Sequence, residues 1–171
     1  MLVVLGGLPG TGKTTIARLV AATERAAYLR IDDIEHAMRT AFDLGRDVGP
    51  AGYLVGYAIA EANLRLEGTV VADSVNPIAL TREGWRSVAQ RADKPVFEVE
   101  IVCSDVAEHR RRVENRAADL EGFSLPRWSS VLSRQYEPWP NAGLIIDTAA
   151  ITPDDGARRI SAAISEMRGR C

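Results

Sequence analysis

The chain starts with an apolar run, Met1 to Leu5, that passes through Gly6 directly into Gly7-Leu-Pro-Gly-Thr-Gly-Lys13-Thr14-Thr15. Few strings restrict a fold so sharply. Leu2 to Leu5 read as a strand buried on both faces, and Ile16, Ala17, Leu19 and Val20 recur at the helical period just after Thr14. Between strand and helix, glycines at positions 7, 10 and 12 let the backbone curl until its N–H groups converge, and the helix adds its positive end. The G-x-x-x-x-G-K-T spacing is that of a phosphate loop. Gly7, Leu8, Pro9, Gly10, Thr11, Gly12, Lys13, Thr14 and Thr15 are therefore expected to cradle the phosphates of a nucleotide, with Lys13 reaching the β- and γ-phosphates and Thr14 holding Mg²⁺.

The rest of the chain alternates in the same manner. A helix over about Gly12 to Arg25 is followed by a strand at Ala27 to Ile31 and a helix from Asp32 to Ala41. Asp43 to Pro50 reads as a loop, and Ala51 to Glu67 as a helix with Gly68 placed as a left-handed cap. Thr69 to Asp73 is a third strand, after which Asn76-Pro77 is expected to cap a helix to about Ala92. Val96 to Cys103 is a strand, Ser104 to Arg116 a helix, Ala118 to Phe123 a polar break, and Ser124 with Pro126 start a short helix. Leu144 to Asp147 is the last strand, and Thr152-Pro153-Asp154-Asp155 opens a final amphipathic helix with Ala157, Ile160, Ile164 and Met167 inward. Strands alternating with helices predict a parallel α/β sheet covered on both faces, with the ligand outside the carboxyl ends of the strands.

That rule gathers the candidate chemistry. Asp32 and Asp73 both end strands, and either carboxylate could take a proton from a hydroxyl while the other positions it or the Mg²⁺. Asp73 closes an apolar strand in the Walker B pattern, so it joins Thr14 as a candidate metal contact, possible through water; Asp33 reads better as a helix cap. Tyr53 and Tyr57 lie on a helix near the expected acceptor pocket and read equally well as substrate contacts or core. Arg112 and Arg116 stand four apart on one helix, a like-charge pair that an anion would relieve, which points to a lid over about 112–136. His36 and His109 have no partners at catalytic spacing and are expected at the surface.

Composition narrows the partners. The 171 residues suit one domain that buries roughly 70% of its unfolded surface, and the formal net charge of -2 leaves no basic surplus for a long nucleic acid. No apolar run is long enough to span a membrane, and Cys103 and Cys171 form no disulfide or metal spacing. Because the phosphate loop follows Met1 so closely, no targeting segment is expected and a reducing cytoplasm is the default location.

On the phosphate loop, Asp32, Asp73 and the Arg112-x-x-x-Arg116 pair, the chain resembles the small P-loop kinases of the nucleoside-kinase-like group. It is most similar to AAA_33-type kinases and more distantly to chloramphenicol phosphotransferase, gluconate kinase and the kinase domain of phage polynucleotide kinase. The resemblance implies the P-loop NTPase fold, three layers α/β/α around a five-stranded parallel sheet in the order 2-3-1-4-5. It further implies ATP on Gly7 to Thr15 with Mg²⁺, Asp32 as base on an acceptor hydroxyl, Lys13, Arg112 and Arg116 as catalytic cations, and an adenine-contacting loop near Thr148 to Thr152. A small hydroxyl-bearing molecule is the expected acceptor, in a monomer or homodimer. Nucleoside, nucleotide or polynucleotide hydroxyls form the alternative, but Asp33-Ile34-Glu35 stands where polynucleotide kinases carry a basic residue.

A hydrolytic motor or switch fits less well. Asp73 is followed by Ser74 rather than Glu, no Leu-Ser-Gly-Gly string or Asn-Lys-x-Asp motif occurs, and the Asp119-Leu-Glu-Gly122 string follows a helix. A nucleotide sensor without turnover is the remaining reading of another class.

Overall fold

The computed structural model describes residues 1–42, 48–116 and 126–169. Among these residues the elements in chain order are β1 (Leu2–Gly6), α1 (Lys13–Glu24), β2 (Ala27–Arg30), α2 (Ile31–Phe42), α3 (Ala51–Arg65), β3 (Val70–Asp73), α4 (Ala79–Arg91), β4 (Val96–Val102), α5 (Val106–Glu114), α6 (Trp128–Leu132), β5 (Leu144–Asp147) and α7 (Pro153–Arg168). All strand pairs are parallel and the order is β2-β3-β1-β4-β5, as the resemblance implied.

The apolar patterning explains the three layers. Alternate residues of β1 point to opposite faces, so Val3 and Leu5 join Ile16, Val20, Ile160 and Ile164 beneath α1 and α7. Leu2 and Val4 join Leu64, Trp85 and Val88 beneath α3 and α4. Every residue of β1 is buried, which explains its unbroken apolar spelling. The central strand therefore anchors both cores.

Register sets what meets at the carboxyl edge. Leu5 pairs with Asp73, and Asp73 with Arg30, so one row crosses β1, β3 and β2. At one strand spacing per step, the end of β2 lies about 10 Å from the end of β1.

Two helix ends depart from the sequence reading. Helix α3 stops at Arg65, and the left-handed residue is Glu67, φ 63°, rather than Gly68, whose N–H donates to the Asn63 carbonyl. Helix α4 begins only at Ala79, and Asn76 does not cap it. Instead the buried Asn76 amide donates to the Leu5 carbonyl at 3.2 Å and accepts from the Trp85 indole at 3.0 Å. Tethering β1 to the loop after β3 was the stronger demand on that side chain. The strand at 27 and helix at 104 are shorter than expected, ending at Arg30 and running only from Val106 to Glu114. Thr152 caps α7 as anticipated, accepting from the Asp155 N–H at 3.2 Å. Much of the expected lid, including the Asp119 to Gly122 string, Phe123 and Ser124, lies outside the described residues.

Candidate active site

The loop between β1 and α1 has the strained shape its glycines allow. Gly7 has φ 148° and a Cβ there would lie 2.2 Å from the Ile101 carbonyl oxygen; Gly10 has φ 87° and a Cβ would lie 2.4 Å from Val113. Side chains at either position would collide as well as strain the backbone. Gly12, also left-handed, starts α1, so the helix N-terminus opens toward the loop.

Beneath it lies a buried ion pair. Lys13 Nζ donates to Asp73 Oδ1 at 2.9 Å, and Tyr28 donates its hydroxyl to Asp73 Oδ2 at 2.7 Å. Both charged side chains are nearly excluded from water, at 8% and 0% exposure. Burial pushes the Asp73 carboxyl up, yet the Lys13 charge and the hydrogen bonds from Lys13, Tyr28 and Thr14 outweigh it and hold the group below the ordinary carboxylate range. Burial, then the charge and hydrogen bond of Asp73, raises the Tyr28 phenol, so it stays a donor. Lysine has three donors and Asp73 takes one, which leaves capacity for an incoming phosphate. Sequence reasoning missed Tyr28, because nothing local links positions 28 and 73.

The residues fit a divalent ion of a particular kind. Among the described residues no three His, Cys, Asp or Glu side chains cluster as a metal site. The Thr14 hydroxyl at the start of α1 and the Asp73 carboxylate are a sparse oxygen set, of the kind that suits Mg²⁺ with water and phosphate as its remaining ligands.

Asp32 stands in the first turn of α2, 32% exposed, with Arg30 Nη2 at 3.5 Å. Arg30 itself is buried and lies 3.1 Å from Asp33. The Tyr53 hydroxyl accepts from the Asn76 N–H at 3.2 Å, and its phenol is raised by burial and, among lesser effects, by the charges of Glu35 and Asp32. Tyr53 therefore borders the same edge as Asp32. Tyr57 is used differently: its hydroxyl donates to the Thr81 carbonyl at 2.8 Å and its ring meets Trp85 edge-on at 4.6 Å. That geometry makes it a core residue in its contacts.

Helix α5 brings a correction. His109, expected at the surface, is buried, with Nε2 2.8 Å from the Pro9 carbonyl oxygen and its ring against Trp128. The partner lies 100 residues away in the chain, which no spacing rule could supply. Arg112 pairs with Glu108 at 2.8 Å and also donates to the Thr148 hydroxyl and carbonyl at 2.8 and 3.0 Å. Glu108, gripped by hydrogen bonds from Arg111 and Arg112, is held down at about 2. Arg116 is elsewhere, lining a cleft between α5 and α6 with Arg110, Arg127 and Trp128.

Known proteins share this fold. A model of AAA domains, AAA_33, matches residues 2–136. Kti12 of Chaetomium thermophilum, solved with ADP-AlF3, superposes with TM-score 0.71 at 24% identity over 97% of this chain and 98% of that one. The Mycobacterium tuberculosis APS kinase CysC, solved with AMPPNP and APS, gives 0.68 at 23% identity over 96% of each chain. A gluconokinase from Sinorhizobium meliloti 1021 gives 0.64 at 16% identity over 96% and 91%. No curated protein matches the sequence. At such identities the structures speak to fold alone, and no helix among the described residues is long and apolar enough to cross a membrane. The strand-loop-helix at Leu2 to Glu24, the strand order and the match over residues 2–136 together place the chain in the AAA_33 family of AAA domains, with the fold of a small P-loop kinase.

Proposed function

We propose that the chain is an ATP-dependent kinase that moves the γ-phosphoryl group of ATP to a hydroxyl of a small molecule. The observation that carries this reading is the buried Lys13–Asp73 pair at the end of the glycine loop, with Asp32 just past the end of β2, the strand that pairs with Asp73's β3. Gly7 to Thr15 would seat the triphosphate, the Lys13 ammonium exchanging part of its contact with Asp73 for phosphate oxygens. Thr14, and Asp73 through water, would hold Mg²⁺, which supplies charge neutralisation on the transferring group.

Asp32 is sufficiently exposed to meet a substrate. Its carboxylate would accept the acceptor hydroxyl's proton as the new O–P bond forms and the bond from the β,γ-bridging oxygen to the γ-phosphorus breaks, with ADP leaving. Tyr53 would border the acceptor. Arg112 would add positive charge from its seat on Thr148, whereas Arg116 lines the separate cleft between α5 and α6. Support for nucleotide binding comes from neighbours whose structures hold AMPPNP and ADP-AlF3. Asp32, Asp33 and Glu35 on α2, three carboxylates against the two cations Arg30 and Arg39, argue for a small uncharged or cationic alcohol over a nucleic-acid end. Asp32→Asn should lower acceptor phosphorylation by about 10²-fold or more while leaving the thermal transition and nucleotide affinity near the parent's. Undiminished transfer by that variant would remove Asp32 as the base.

A further inference from the structure

The phosphate loop is held from outside at two points, by His109 on α5 and by Thr148 just after β5. His109 Nε2 meets the Pro9 carbonyl oxygen at 2.8 Å; a carbonyl can only accept, so Nε2 carries the proton. Two residues on, the Thr148 hydroxyl donates to the Thr11 carbonyl at 2.8 Å and accepts from Arg112 at 2.8 Å. A trans peptide directs its C=O and N–H in opposite senses. Drawing the Pro9 carbonyl toward α5 therefore turns the Gly10 N–H away from α5 and into the loop, and drawing the Thr11 carbonyl outward does the same for Gly12.

We infer that His109 is a positioning residue for nucleotide binding, acting through the Pro9–Gly10 peptide to aim an N–H at phosphate before the ligand arrives. This rests on the nucleotide reading above. The contact is built rather than incidental. His109 is buried, its ring is fixed edge-on by Trp128 at a centroid distance of 5.1 Å, and it lies so close to Gly10 that a Cβ there would be 3.3 Å from its Cδ2. The Asp105 carboxylate fixes the start of the same helix by accepting from the Ala107 and Glu108 N–H groups. An oriented donor toward an anion is worth more than a neutral hydrogen bond, because the loop need not reorganise when the charge arrives.

The test uses the whole chain and a non-hydrolysable Mg·ATP analogue in titration calorimetry. His109→Phe keeps a ring against Trp128 but has no donor, whereas His109→Gln restores an N–H. The phenylalanine variant should melt within a few degrees of the parent yet bind about tenfold more weakly. The glutamine variant should recover to within about threefold. If phenylalanine is not accommodated, His109→Leu replaces it in the same comparison. Parental affinity in the donor-less variant, or equal weakness in the glutamine variant, overturns the inference alone. A parent chain that binds no analogue removes the nucleotide reading and this inference with it.

Discussion

Lys13 and Asp73 carry opposite charges at a site with almost no water, so each is tolerable only because the other is there. Lys13→Met should abolish nucleotide binding and also cost about 3 kcal/mol of stability at neutral pH, since the Asp73 carboxylate would be left buried without its cation. Adding Asp73→Asn should recover part of that loss without recovering activity, a coupling of about 1 to 3 kcal/mol in a double-mutant cycle read by urea unfolding. The same pair sets an acid limit. Asp73 titrates lower in the folded chain than in the unfolded one, so its stabilisation is complete above the unfolded value near 3.9 and is lost as pH falls through the lower folded value. Below about pH 4 the parent should lose stability more steeply than Asp73→Asn. Equal acid slopes would show that the carboxylate is not held down by its neighbours.

At the scale of elements, the loop after β3 and the segment before β5 are joined by one buried side chain. Arg82 on α4 donates to the carbonyls of Asn76, Pro138 and Glu137 at 2.9, 2.7 and 2.7 Å, and its guanidinium stacks 4.6 Å from the Trp139 ring. Trp139 in turn packs so tightly on Gly6 that a Cβ there would lie 2.3 Å from its ring. Arg82→Ala should therefore cost about 3 kcal/mol, a fall in the melting temperature of about 6 to 12 °C, because the buried Asn76 carbonyl and two part-buried ones lose their donor and the Trp139 ring loses its stacked guanidinium. A change of a degree or less in calorimetry would contradict that role. Arg82, Tyr28 and His109 were all illegible beforehand for one reason: each meets partners tens of residues away, and only the finished sheet brings them together. The misplaced ends at Asn76 and Gly68 have a different cause. Local preference marked a cap and a left-handed turn, and tertiary hydrogen bonds from Asn76 and the turn at Glu67 decided otherwise.

For the whole molecule, what was legible is what is written locally. The loop at Gly7 to Thr15 is contiguous, and each strand announces itself by an apolar run or, at Val96 to Val102, by alternation, so the layers followed from period alone. The order of strands did not; it came with the resemblance, because parallel neighbours are separated by whole helices. The residues proposed to border an acceptor are hardest to read, since Asp32 on α2 and Tyr53 on α3 belong to separate helices that meet only through packing. If the site works as described, a Mg·ATP analogue at about 100 times its dissociation constant should stabilise the chain by about 2.7 kcal/mol, seen as a raised melting temperature. The most direct trial of the account follows the γ-phosphoryl group itself: the chain is incubated with Mg²⁺, γ-labelled ATP and a panel of neutral and cationic alcohols. Label should move into a phosphate monoester with at least one alcohol, and Asp32→Asn should suppress the transfer. Label appearing only as free phosphate, at a rate no alcohol alters, would contradict it.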